Sequence, residues 1–174
     1  MIEERNSIEE DCKLLIDDLR PDDFNEVVTM TKEHPLKPIV RGFKTAKLCR
    51  SIIKDGNFVA MYGVCPTESH TVGSPFLLGT NRFLEIALPF ARQCKDRVQE
   101  MQDLYPILWN FIDSRNAVHL RWIKWCGFKN GYEVRLMRYL KKANFEYLNP
   151  LPKGGNILIP LSFVHSSNDA VISS

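Results

Sequence analysis

Apolar residues in this chain fall into short runs separated by polar and proline-containing breaks, and the spacing within each run predicts its element. Met1 to Asp11 is acidic and polar, so residues 1–13 read as a flexible N-terminal arm. Leu14-Leu15-Ile16, running on to Leu19, reads as a first strand. Pro21-Asp22-Asp23 opens a helix: proline suits the first turn, and acidic groups face the positive end of the dipole. Phe24, Val27 and Val28 follow at helical spacing. The prolines of His34-Pro35-Leu36-Lys37-Pro38 break that helix. Phe43 to Lys54 predicts a second helix with Ala46, Leu48, Cys49, Ile52 and Ile53 on its apolar face. Asp55-Gly56-Asn57 is a tight-turn signal. Phe58 to Val64 and Val72 to Leu78 then read as strands around a polar loop, with Pro75 marking an irregularity or an exposed edge.

Arg82 to Leu104 predicts the longest helix. Its apolar positions, from Phe83 and Ile86 through Phe90, Cys94, Val98 and Met101, suit a helix lying on a sheet, and Pro89 predicts a kink or a late start. Ile107 to Ile112 is apolar enough for a central strand buried on both faces. Asn116 to Cys126 reads as a helix stopped by Gly127. Phe128 to Arg138 carries further strand, Ala143 to Gly155 a loop, and Ile157 to Val164 the last strand. Residues 165–174 read as a disordered tail. This order predicts an α+β fold, a mostly antiparallel mixed sheet flanked by helices, as one domain over residues 14–164.

Composition narrows the function classes. A net charge of +2 lacks the strong basic footprint of a nucleic-acid binder, so no specific nucleic acid is expected. No apolar run approaches the roughly 20 residues of a membrane helix, and the N-terminus has no apolar core like that of a signal peptide. The 5 cysteines are widely spaced, without CxxC or CxxH pairs, so they read as buried free thiols and no metal site is expected.

The most specific stretch is Leu108-Trp109-Asn110-Phe111, then Asn116, His119-Leu120-Arg121-Trp122 and Gly127-Phe128. With Tyr62-Gly63-Val64 and Leu77-Leu78-Gly79-Thr80, it resembles the GNAT acetyltransferase fold. The closer resemblance is to phage proteins related to internal virion protein A of short-tailed, podovirus-type phages, which look like a diverged GNAT domain. It spans roughly Leu14 to Arg138. The resemblance implies a virion-associated or morphogenesis protein. Its partners would be phage structural or ejection proteins or a host protein, and its place the host cytoplasm during infection or the virion interior.

The resemblance also says where acetyl transfer would occur. A GNAT enzyme joins a strand to a helix through an Arg/Gln-x-x-Gly-x-Gly/Ala loop, whose amides and helix N-terminus meet the cofactor pyrophosphate. Here that junction is Leu78-Gly79-Thr80-Asn81, with a single glycine; Thr80 or Asn81 reads as an N-cap. Asn116 is a further cofactor contact, or an N-cap. The general acid is usually a tyrosine five residues before the Gly-Phe phenylalanine, which here is Ile123, a side chain with no proton to give. No cofactor is therefore expected, and ordinary acetyl transfer is not the leading reading. Were the chain an N-acetyltransferase, acetyl-CoA would bind at Leu78, Gly79, Thr80, Asn81 and Asn116, in a cleft between strands Val72–Leu78 and Ile107–Ile112. His119 would be the catalytic base, since histidine titrates near neutral pH, with Glu85 or Glu133 as alternatives. Asn110, disfavoured in a strand, could bind splayed backbone or a ligand. Trp109, Trp122 and Trp125 read as packing residues. Arg115, Arg121, Lys124 and Lys129 form a basic cluster that reads as a solvated face.

Overall fold

A strand that no hydrophobic alternation announces begins the fold. In the computed structural model, which describes residues 1–113, 123, 125, 126, 128–130 and 158–164, β1 spans Ile2–Asn6 with every residue exposed. It pairs antiparallel with β2, in a register that sets Ile2 opposite Lys54 and Asn6 opposite Arg50. The Met1 ammonium, paired with Asp55, pins its first residue. The stretch expected to be a flexible arm is thus a strand followed by the start of a helix, because edge-strand order comes from ladder hydrogen bonds, which side-chain polarity does not report.

Of the expected strand at Leu14 to Leu19, Leu14 to Asp17 is instead the second half of α1, Glu9–Asp17, and only Leu19 makes an extended bridge. Cys12, Leu15 and Leu19 are buried at helical, not alternating, spacing. Asp11 makes this helix start where it does. Its carboxylate, almost fully buried, accepts from Arg5 Nη1 at 2.7 Å and Nη2 at 2.8 Å, from the Ile8 amide at 2.9 Å and from the Ser51 hydroxyl at 2.7 Å. One side chain so ties β1, α1 and β2 together. Burial alone would push its pKa up; the Arg5 guanidinium, the Ile8 amide and the Ser51 hydroxyl outweigh that and hold it below its usual value.

The next elements are α2, Pro21–Thr31, with Pro21 in its first turn as expected, and α3, Leu36–Thr45. Lys32 closes α2 in the left-handed region, at φ 58°. The proline segment follows the end of the helix, as expected, and also starts a second one, because Pro35 and Pro38 sit where a helix start needs no amide donor. The helix expected over Phe43 to Lys54 is displaced: α3 ends at Thr45 and Leu48–Lys54 is strand β2. β2 pairs antiparallel with β3, Asn57–Pro66, through the expected turn at Asp55-Gly56. Both turn residues have positive φ, 50° and 77°, which is why the sequence there is Asp-Gly.

The chain forms two compact units, 1–65 with 75–94 and 66–74 with 95–174. In the first, hydrogen-bonded strands run β1-β2-β3-β4, β4 being Val72–Gly79. Cys12, Leu15 and Leu19, with Ile39 of α3, pack against Phe58 and Met61 of β3. Tyr62, Phe83 and Phe90 form a second apolar group, with edge-to-face rings 5.5–6.0 Å apart. The long helix expected over Arg82 to Leu104 is three pieces: a 3-10 helix Asn81–Glu85, α4 Ala87–Arg92 and α5 Cys94–Leu104. Pro89 falls in the first turn of α4, where it costs no hydrogen bond. Phe83, Ile86, Phe90, Cys94, Val98 and Met101 stay buried across the breaks.

In the second unit the order is β4-β5-β7-β6. β4 contributes its first residues, Val72 to Ser74, and pairs parallel with β5, Ile107–Asp113, at Val72 and Gly73; the pairing stops before Pro75, where an irregularity or an edge was expected. β5 pairs antiparallel with β7, Leu158–Val164, along its whole length, and β7 with β6, Lys129–Asn130. Ile107, Leu108 and Trp109 are buried, as expected of a central strand. The second unit thus confirms an α+β architecture with a mixed, mostly antiparallel sheet.

Replacing Asp11 with alanine strands the Ile8 amide and the Ser51 hydroxyl and frees Arg5, at a cost of about 2–3 kcal/mol in urea unfolding at neutral pH. Asp11 stabilises fully above the unfolded carboxyl value of 3.8 and loses that contribution as pH falls through its lower folded value. The urea midpoint of the parent should therefore decline more steeply below about pH 4 than that of Asp11→Ala.

Candidate functional site

The junction between β4 and the 3-10 helix is where a cofactor loop is expected, and each of its amides already has a partner. The Gly79 N–H donates to Asp23 Oδ2 at 2.8 Å, in a buried setting. The Thr80 N–H donates to the Val59 carbonyl at 2.8 Å, and the Thr80 hydroxyl to the same oxygen at 2.9 Å. Val59 is the bulged residue of β3, since Ile52 opposes Ala60 and Ile53 opposes Phe58. The Asn81 N–H donates to the Asp18 carbonyl at 3.1 Å, the Arg82 N–H to Thr80 Oγ1 at 3.3 Å, and the Phe83 N–H to the Thr80 carbonyl at 2.9 Å. Thr80 is the N-cap, as expected, though of a 3-10 helix only five residues long.

The partners come from the linker between α1 and α2. Leu19 makes an antiparallel bridge with Thr80, and the Arg20 amide donates to the Gly79 carbonyl at 3.0 Å. Arg20 lies over the Phe83 ring, 5.5 Å from its centroid, and pairs with Asp23 at 3.1 Å. The Asn81 side-chain amide donates to the Asp18 carboxylate at 2.7 Å. Asp23, read from sequence as a charge at a helix start, reaches instead across to the strand end and takes a backbone donor. Two carboxylates stand where a diphosphate would need donors.

Gly79 has a packing role. A Cβ there would meet Phe83 Cβ at 2.8 Å and Cγ at 3.0 Å. The missing side chain lets Phe83 fold back onto the strand, which accounts for a lone glycine where a loop rich in glycine was expected.

The other expected site residues divide between displaced and outside the described residues. Leu78 is half-buried and packs against the core of the first unit. Glu85 is held by Arg82 at 3.1 Å and Lys54 at 2.9 Å, and these cations pull its pKa down to about 2, which unfits it as a base at neutral pH. Asn116, His119, Arg115, Arg121, Trp122, Lys124 and Glu133 lie outside the described residues. Ile123, at the general-acid position, is helical and half-buried, and its carbonyl accepts from Phe128 N–H at 3.2 Å. Asn110 is half-buried on β5, opposite Leu161. Trp109 is buried, as expected, but Trp125 is 67% exposed and does not pack as expected. All five cysteines are free thiols. Burial pushes Cys12 up to about 11 and raises Cys49 and Cys65, so these three stay protonated. Among the described residues no cluster of histidine, cysteine and carboxylate is placed to hold a metal, and no helix is long and apolar enough to cross a membrane.

The sequence matches no protein-family model and no curated protein at a significant level. Solved structures do match along nearly the whole chain. An N-acetyltransferase from Staphylococcus aureus Mu50 is 11% identical, with a TM-score of 0.64 over 94% of this chain and 98% of its own. A GNAT-family acetyltransferase from Bacillus anthracis is 7% identical, with a TM-score of 0.63 over 94% of each chain. The fold is that of the GNAT acetyltransferases. An acetyltransferase from Bacillus subtilis, solved in complex with CoA, is 9% identical, with a TM-score of 0.55 over 94% of this chain and 97% of its own. At such identities the likeness is one of fold. The chain is built on an acyltransferase-like scaffold, and its residues at the GNAT pyrophosphate junction do not fit a diphosphate.

Two substitutions separate packing from ligand binding at the junction. Gly79→Ala should cost about 1–3 kcal/mol in urea unfolding, because the new methyl meets Phe83. Asp23→Ala should cost about 2–3 kcal/mol, because it strands the Gly79 amide and unpairs Arg20. Loss of stability in neither variant would show that the junction is not the closed structure described.

Proposed function

We propose that this chain is a phage virion-associated or morphogenesis protein that uses a GNAT scaffold for binding and assembly, without ordinary acetyl transfer. The observation that carries the reading is the Gly79–Asp23 hydrogen bond and the run of paired amides around it. An acetyl-CoA enzyme of this fold needs donors at that junction that are free to meet a pyrophosphate. Here the donors are spent on the protein's own carbonyls and carboxylates. Ile123 at the general-acid position supports the same reading. The phage assignment is supported by the Trp109-Asn110 to Gly127-Phe128 pattern and its resemblance to internal virion protein A. The protein would work in the host cytoplasm during infection or inside the virion, with phage structural or ejection proteins as partners.

One observation favours a second reading, an acetyl-CoA-dependent N-acetyltransferase: a neighbour with the same fold was solved with CoA. Such an enzyme would have to open the junction or hold the cofactor elsewhere, with His119 as base. An adaptor for a host protein is the third reading, and a host-lysate pull-down separates it from the first.

Calorimetric titration with acetyl-CoA distinguishes the first two. No heat of binding and no thiol release with a panel of amines is the expected result. Stoichiometric binding, with turnover lost in His119→Ala, would replace the binding reading by the enzyme. A tagged chain produced during phage infection should co-purify with assembling heads or internal ejection proteins.

A further inference from the structure

The outer faces of α1 and α3 are complementary in charge and spacing. α3 presents Lys37, Arg41 and Lys44, all exposed, around the apolar side chains of Leu36 and Val40 on an open helix face. No acidic residue occurs from Leu36 to Lys54. Leu36 is 40% exposed, an apolar side chain left without cover. Beside it, α1 turns outward Glu10, Leu14 and Asp17, at i, i+4 and i+7, with Leu14 49% exposed; Lys13 is the cation on that face. Both helices pack their inner residues into one core with Phe58 and Met61, so both outer faces point away from the same side of the sheet.

We propose that this α1–α3 surface is a self-association face, on which a second copy of the chain docks about a two-fold axis, α1 of each copy over α3 of the other. The intrachain geometry sets the register. Glu9, at the start of α1, lies 3.8 Å from Lys44, near the end of α3, so the neighbouring helices run in opposite directions. A two-fold axis along the helices preserves height along them and exchanges α1 for α3. It brings Glu10 of the second copy level with Lys44. Two turns further, about 10 Å along the helix, it brings Asp17 level with Lys37. Leu14 then lies over Val40, one turn from Leu36, and Lys13 falls level with Arg41, a like-charge pair that the two acidic contacts must outweigh. The contact is isologous: each copy gives its acidic face and receives its partner's. The exposed pairs Arg41–Glu33 and Lys44–Glu9 are of the kind that exchanges partners at little cost.

The test is sedimentation equilibrium on the full chain over a range of concentrations and salt. The parent should show a monomer–dimer equilibrium weakened by salt. Lys37→Glu with Lys44→Glu makes both faces acidic, and Glu10→Lys with Asp17→Lys makes both basic. Each pair should weaken the dimer on the order of tenfold or more while leaving circular dichroism unchanged. Mixing the two should restore a heterodimer, since each acidic face then meets a basic one. Leu14→Asn, a milder surface change, should weaken the dimer without altering the charge pattern. A parent that stays monomeric, a dimer indifferent to both reversals, or failure of the mixture to recover overturns the proposal. So does a monomer that instead takes up an acidic peptide on α3. None of these outcomes depends on whether acetyl-CoA binds.

Discussion

A carboxylate on a strand end governs what this scaffold can do. Asp23, in the first turn of α2, turns its carboxylate across to accept from the Gly79 amide at the end of β4. The bond holds the α1–α2 linker against the junction, so that Leu19 bridges Thr80 and Arg20 covers Phe83. It also places negative charge where a phosphate-binding loop would need positive potential. An exposed amide at a helix start attracts anions because its donor has no internal partner. Once paired inside the protein, the same amide supports the fold instead.

Asp11 does the equivalent work at the other end of the unit. A buried carboxylate is tolerated there because it accepts four hydrogen bonds, two of them from a guanidinium. Asp11 and Asp23 thereby fix where α1 begins and how the α1–α2 linker lies. The first unit is organised around acids that lie inside it, while its outer helix faces sort the remaining charge, acidic on α1 and basic on α3.

The strands with strong apolar character were legible: β3, β4, β5 and β7 lie close to where periodicity puts them, and the Asp55-Gly56 turn is where its residues demand positive φ. β1 is a polar edge strand with no pattern to read. Leu14-Leu15-Ile16 is too short a run to tell strand from helix, and only the burial of Cys12, Leu15 and Leu19 decides. β2 reads as helix because Leu48, Cys49, Ile52 and Ile53 fit helical spacing; the shift in register after Ile52 interrupts strict alternation there. At the site, the shortage of glycines around Gly79 was visible in sequence, as was Ile123 in place of an acid. The partners of the junction were not, because Asp18, Asp23 and Val59 are far from it along the chain.

The sequence by itself determined the fold class, the positions of the central strands and the missing proton donor, since each follows from the type of residue at a local position. Tertiary structure alone decided whether the junction amides are available. Availability depends on which distant carbonyls and carboxylates reach them, and a bulge at Val59 and an acid on α2 supply those acceptors. A glycine at position 79 is compatible with either cradling a phosphate or admitting a ring, and the Phe83 side chain folded against it settles which.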